Sequence, residues 1–337
     1  MKKVFLALAA VVALAACSKE ETLVQQAPEA IAFENAFVDN ATRSVVDPTL
    51  TAGELEELEN GFSVYGFVTS DADTNAWASI FTDEQVKFAG GAWGYTNTQY
   101  WIEDVTYDFC AIAPYHAGWD TVTATKSGAL LSFTSDGETD LLYAQNNGVQ
   151  KPTGNDKSVH FTFRHVLSKV RFSFLNNYDA ANTTIMVRGI KVKNPYKSAS
   201  VALNATAATW SSWATADDYV LDFGNATLDN ATTGDAVAFE ANATLESYKE
   251  LLLIPADYTE TNKELAVEFT YDIVVNGTPI KSIKVEPKVA VNLEPGHAYD
   301  FKATISHGER IEFSVNEIAG WDYDLDHDGQ NDDDIAM

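Results

Sequence analysis

The sequence predicts an all-β fold of two tandem β-sandwich domains, on three observations. Short stretches alternate apolar and polar residues with the period of two that buries one face of a strand, as in Gly61-Phe62-Ser63-Val64-Tyr65-Gly66-Phe67-Val68. Turn signals such as Asn276-Gly277-Thr278-Pro279 and Glu294-Pro295-Gly296 separate them. A helix pattern is confined to residues 51–58, where Thr51 caps and Glu54 takes the capping-box position. Many short strands with regular turns make sandwiches, and the length is enough for two domains.

Taken in order, the chain begins with Met1-Lys2-Lys3 and an apolar run from Val4 to Ala16. Two lysines, about a dozen apolar residues and a small-residue site make a secretory signal, too short for the roughly 20 residues of a membrane-spanning helix. Leu14-Ala15-Ala16-Cys17 resembles a bacterial lipoprotein box, in which the cysteine is acylated and becomes the mature N-terminus. Residues 1–17 are therefore the signal peptide. Residues 18–29 read as a polar tether. Lys19-Glu20-Glu21 within them fits either a surface-export signal of Bacteroidetes lipoproteins or a solvated spacer.

A strand is expected at 30–38, with Ile31, Phe33 and Phe37 on one face and Asn35 as the exception. It ends in the polar loop Asp39-Asn40-Ala41-Thr42-Arg43-Ser44. Further strands are expected at Val105 to Phe109, Leu130 to Phe133, Phe161 to Phe163, Val170 to Phe174, Ile185 to Val192, Leu251 to Ile254, Leu265 to Val275 and Ile280 to Val285. Two more carry Tyr299, Phe301 and Ile305, then Ile311, Phe313 and Val315, on one face each. The polar stretch Pro152 to Asp156 is a reasonable joint, giving domains at 18–156 and 157–321. Residues 199–243 carry weaker strand signals, and four Asn-Ala-Thr triplets begin within them.

Composition narrows the function. The formal net charge is -27, with 22 basic and 49 acidic side chains. That excludes phosphate-backbone binding and electrostatic docking on anionic lipid, so acyl chains do the anchoring. Aromatic residues at 12 % supply a core. With Cys17 acylated, Cys110 has no partner for a disulfide and reads as a small buried core residue.

Three stretches together resemble the fimbrillin family of Bacteroidetes, the subunits of type V pili. The first is Thr42-Arg43-Ser44 followed by Gly61 to Gly66. The second is Phe161-Thr162-Phe163-Arg164-His165-Val166-Leu167-Ser168-Lys169-Val170. The third runs from Leu251-Leu252-Leu253-Ile254-Pro255 through Glu294 to Tyr299 and on to Ile311–Val315 and Trp321. The resemblance implies transthyretin-like Greek-key sandwiches and a lipoprotein precursor carried to the outer membrane. It also implies cleavage by a trypsin-like protease after an early arginine, here between Arg43 and Ser44. Loss of the first strand then opens a groove that a strand of another subunit fills. The strand with Ile31, Phe33 and Phe37 would be the one displaced. Its three side chains represent about 5–8 kcal/mol of burial. Family stalk subunits carry a donor strand near the C-terminus. Here Arg310 to Ile318 is either that donor or the closing strand of the second sandwich, so a tip, accessory or anchor subunit fits as well as a stalk.

The tail 322–337 is acidic. Asp324, Asp326, Asp328, Gln330 and Asp332 follow calcium-loop spacing, with Gly329 at the turn and Ile335 where an EF-hand has glutamate. Either a weak Ca2+ site or a solubilising tail is expected, and no cofactor is required. An enzyme is not expected. The histidines His116, His160, His165, His297, His307 and His327 form no His-x-x-x-His pair, and no nucleophile elbow or phosphate loop is present. Among 49 acidic residues, a glycosidase pair would depend on separations in space that spacing along the chain does not give. Two readings remain: a pilus subunit assembled with other subunits or with itself by strand exchange and serving adhesion, or a non-polymerising surface lipoprotein that binds glycans or proteins. For the latter, Trp77, Trp93, Trp101, Trp119, Trp210 and Trp213 are either sugar platforms or core. Asp120-Thr121-Val122 resembles a Bacteroides O-glycosylation site.

Overall fold

A computed structural model describes residues 28–33, 37–38, 60–70, 73, 76–154, 156–178, 183–216, 220–224, 238–239, 244–246, 250–259, 265–308 and 310–318. Among them there is no helix, and the protein is all-β. The helix expected at 51–58 lies outside the described residues.

A seven-stranded sheet organises the first half. Its order is β2 (Phe37–Val38), β11 (Thr162–His165), β9 (Leu142–Val149), β6 (Val105–Ala113), β3 (Phe62–Ser70), β4 (Trp77–Ala89) and β5 (Ala92–Gly94). Its central strands β3 and β6 are buried on both faces. Along β3, Phe62 and Val64 enter one core while Tyr65 and Phe67 enter another. Along β6, Tyr107, Phe109 and Ala111 divide from Cys110 and Ile112 in the same way. The expected alternation is therefore real, but it sorts residues between two cores rather than between core and water.

The second face of that sheet is covered by a four-stranded sheet of β15 (Ala208–Ala214), β14 (Ser198–Leu203), β8 (Gly128–Thr134) and β7 (Trp119–Thr125). Trp119, Leu131, Phe133, Val201 and Trp210 share its core with Tyr65 and Phe67. Because β14 pairs with β8, Leu131 to Val201 among them, this sheet joins residues from both sides of the stretch 152–156.

Two further sheets pack face to face. One holds β18 (Thr244–Glu246), β12 (Ser168–Asn177), β23 (Ala298–Ser306) and β24 (Phe313–Ile318), with β19 (Leu251–Leu253) beside β12. The other holds β16 (Val220–Gly224), β13 (Thr183–Lys193), β20 (Leu265–Val275) and β21 (Thr278–Val285), with β17 (Ala238–Phe239) on β13 and β22 (Lys288–Val289) on β20. Phe172, Phe174 and Phe301 meet Ile185, Val267 and Phe269 between them. Phe174 and Phe269 are edge to face at 5.0 Å. Within this layer Lys169 is buried and its ammonium lies 2.8 Å from the Glu250 carboxylate. An ion pair is what makes such burial tolerable.

The strand expected over 30–38 is two short strands, β1 (Ala32–Phe33) and β2. The reason is their partners. β1 pairs in parallel with β10 (Ser158–Val159), at Ala32↔Ser158 and Phe33↔Val159, and β2 pairs in parallel with β11, at Phe37↔Thr162 and Val38↔Phe163. The offset is 126 residues in the first pair (158 − 32) and 125 in the second (162 − 37), so the register slips once along the way.

Candidate functional site: the seat of the first strand

Residues 29–33 are hydrogen-bonded along both edges. On one side the Ile31 N–H donates to Gln99 O at 2.8 Å and the Trp101 N–H donates to Glu29 O at 2.9 Å, around an antiparallel bridge between Ala30 and Tyr100. On the other side lies β10. A segment gripped on both edges has the backbone satisfaction of a central strand, although it contributes only two residues to regular β-structure.

The side chains fill the seat. Ile31 and Phe33 are buried in the first core with Phe62, Val64, Phe81, Trp101, Phe109 and Phe161. The Phe33 ring is edge to face with Phe81 and Tyr95 at 5.4 Å each and with Phe109 at 6.2 Å, and it stacks on Phe161 at 5.8 Å. Such pairs add to area burial when edge-to-face or offset. Gly66 makes the floor: a Cβ there would stand 2.7 Å from the Phe81 ring and 3.1 Å from Phe109, so only glycine lets both rings lie under Phe33.

One wall is the turn of residues 95–101. Glu84 of β4 holds it by accepting from the backbone N–H groups of Thr96 (2.9 Å) and Asn97 (3.0 Å) and from Asn97 Nδ2 (2.6 Å). Burial pushes the Glu84 carboxyl upward, but the bonds from Asn97 and Thr96 outweigh it and hold the group below its ordinary value. From this wall the Tyr95 hydroxyl donates to Ile31 O, and the Trp101 indole N–H donates to Lys157 O at 3.0 Å, tying wall to wall.

The mouth of the seat is charged. The Glu29 carboxylate lies 3.1 Å from Lys151 Nζ and 3.4 Å from Lys157 Nζ. Lys151 also meets Glu103 at 2.5 Å, and Lys157 donates to Pro152 O at 2.6 Å. The Lys151 hydrogen bond holds the Glu29 carboxyl below its usual range.

Of the residues singled out from sequence, Ile31 and Phe33 occupy this seat. Phe37 is placed by its backbone in β2. Cys17, Arg43, Ser44, Asp324, Asp326, Asp328, Gln330 and Asp332 lie outside the described residues. Sequence reading missed the walls, Glu84 with residues 95–101, and the lysines at the mouth. The signal available was Glu29 itself, an acidic residue just before the expected strand and in phase with its apolar face.

A second polar cluster lines an open pocket of about 250 Å³ beneath Tyr65, Asp83, His116 and Trp119. Asp83 Oδ1 accepts from Ser63 Oγ at 2.7 Å and Tyr65 OH at 3.3 Å, and His116 Nε2 is 2.8 Å from Asp83 Oδ2. The serine is paired with the carboxylate rather than the imidazole, so this is not a nucleophile–base arrangement. The indole N–H groups of Trp101, Trp119 and Trp210 each donate to a backbone carbonyl and their rings are buried, whereas Trp77 and Trp213 are exposed. Cys110 is buried, and burial pushes its thiol up to about 12. Among the described residues no three His, Cys, Asp or Glu side chains are grouped to hold a metal.

The fold and site define a sandwich protein whose first core is closed by an early strand lying in a two-walled seat. The chain belongs to the fimbrillin-like family, whose model matches residues 42–321. No curated protein matches it. Among solved structures it is similar to a candidate cell adhesion protein of Bacteroides ovatus (18% identity, TM-score 0.43, covering 87% of this chain and 96% of that one). A second, from Bacteroides uniformis, gives 16%, 0.43, 87% and 98%. The fimbrial anchor protein Mfa2 of Porphyromonas gingivalis gives 12%, 0.32, 87% and 100%. None of these likenesses is close enough to transfer a role.

Proposed function

We propose that this protein is a cell-surface fimbrial subunit or adhesin that assembles by exchanging its first strand for a strand of another subunit. The observation that carries the reading is the seating of residues 29–33: bonded on both edges, with Ile31 and Phe33 in the core, and followed within ten residues by Arg43. Cleavage after Arg43 would cut the covalent link that holds the strand local. The empty seat would then present backbone donors and acceptors on two walls and an apolar floor, which is what strand addition requires. Burial of the two described side chains is worth about 3–6 kcal/mol, enough to drive replacement.

The pattern of the seated segment, Glu-x-Ile-x-Phe, occurs twice in the chain, at Glu29–Phe33 and at Glu309-Arg310-Ile311-Glu312-Phe313. The second occurrence runs into β24, an edge strand bonded only to β23 among the described residues. That supports self-assembly as one use of the seat. Cys17 would anchor the precursor to the outer membrane through its acyl chains, and the acidic tail would take Ca2+ with a Kd on the order of 10⁻⁴–10⁻³ M.

Limited trypsin digestion of the mature chain, read by intact mass and size-exclusion chromatography, tests the proposal. One cut between Arg43 and Ser44 followed by multimers is the expected result. Resistance at Arg43, or a cut product that stays monomeric, would replace it with a non-polymerising surface lipoprotein that binds a ligand.

A further inference from the structure

Two lysines converge on one carboxylate at the mouth of the seat, and only one of the three groups belongs to the removable strand. Lys151 and Lys157 are fixed parts of the seat. Lys157 is held by its ammonium on Pro152 O and by its own carbonyl under the Trp101 indole, and Lys151 is steadied by Glu103. The two lysines are mostly covered, with side-chain exposures of 18 % and 27 %. Glu29 supplies the charge they face. When residues 29–33 leave, Glu103 still answers Lys151, while Lys157 keeps a carbonyl alone. The seat is then left with an unmatched positive charge, on a chain whose net charge is -27.

We infer that Lys151 and Lys157 read the incoming strand, selecting one with a carboxylate two residues before its first buried aliphatic side chain and four before its buried aromatic one. The inference rests on strand exchange as proposed above. The selection fixes register as well as partner. A strand slipped by two residues keeps the same face toward the core, since the side-chain period is two, so an incoming strand with a longer apolar run could fill the floor in either register. A slip by two moves the carboxylate away from both ammonium groups, so the charge marks the one correct register. A basic residue at that position would face two lysines and be rejected, which is selection by repulsion as well as attraction.

The test uses the chain carrying Glu29→Gln, cut between Arg43 and Ser44 so that the resident strand is neither tethered nor held by charge, and labelled peptides of residues 28–38 with Glu, Gln or Lys at position 29. Binding is read by fluorescence anisotropy, and hydrogen exchange at the Trp101 amide reports whether the seat is the place filled. Partly exposed ion pairs of this kind predict about 5–10-fold weaker binding for the Gln peptide and a larger loss for the Lys peptide. Adding Lys151→Glu and Lys157→Glu to the protein should reverse the order of the Glu and Lys peptides. Equal binding of all three peptides, or an order that survives the reversal of the lysines, overturns the inference while leaving strand exchange standing. Failure of every peptide to bind, with exchange protection in β6 and β9 intact, overturns strand exchange and the inference with it.

Discussion

Phe33→Ala isolates what holds the first strand. The ring is buried among four aromatic rings at 5.4 to 6.2 Å, and Gly66 has no side chain that could swing in to fill the space. Truncating a buried phenylalanine costs about 3–5 kcal/mol. The strand itself is short, so most of that loss falls on the equilibrium between seated and open strand rather than on global unfolding. With tenfold per 1.4 kcal/mol, the opening constant should rise by roughly two to three orders of magnitude. Hydrogen exchange reads this at the Ile31 and Trp101 amides, whose acceptors are Gln99 O and Glu29 O across the seat. Amides of β6 and β9 serve as the internal control for the rest of the fold. Unchanged exchange at Ile31 and Trp101 would refute the idea that side-chain burial seats the strand. Exchange that rises equally in β6 would refute the idea that the strand opens on its own.

Three further outcomes are expected. Lys169→Ala should lower stability by about 3–5 kcal/mol in urea denaturation because it strands the Glu250 carboxylate, and replacing both partners by apolar residues should cost much less. Cys110 should fail to react with a thiol reagent at pH 8 until the protein is unfolded, being buried with its thiol at about 12; reaction at the rate of a free thiol would contradict the packing of β6. Glu29 has a folded carboxyl below its ordinary 4.5, so its hold on the strand is complete above about pH 4.5 and is lost as pH falls through the lowered value. The difference in Trp101 exchange between the natural chain and Glu29→Gln should therefore be constant near neutrality and close on acidification. A gap that widens with acid would mean the carboxyl is not the group responsible.

Strand identity was largely legible in the sequence, because alternation survives even where both faces are buried, as at Phe62 to Phe67. β4 escaped notice for a physical reason. Its buried residues are Phe81, Glu84 and Val86, a step of three followed by a step of two. The extra residue is at Asp83, whose φ is 53°, and the register against β3 shifts there. A bulge resets the period of two and hides the strand from a period search. β13 makes a similar three-residue step from Val187 to Ile190 around Gly189, yet its apolar density kept it visible. The plug residues Ile31 and Phe33 were legible as an alternating pair. Their seat was not, because its walls come from residues 84, 95–101 and 151–159, and only folding brings these together.

That separation also sets an order of events. Ala32 meets Ser158 and Phe37 meets Thr162 across more than 120 intervening residues, and neither pairing offers more than two register positions in return. Closing so long a loop for so few contacts is slow and weakly rewarded until the distant surface already exists. Strands β3, β6 and β9 and the turn held by Glu84 pair without any residue of the first strand, and loop-closure entropy favours that strand arriving last. A seat completed before its own occupant arrives is, for the time it stands vacant, equally available to a strand that comes from elsewhere. The chain's own strand then wins by being tethered nearby at high effective concentration, not by any contact a foreign strand is denied.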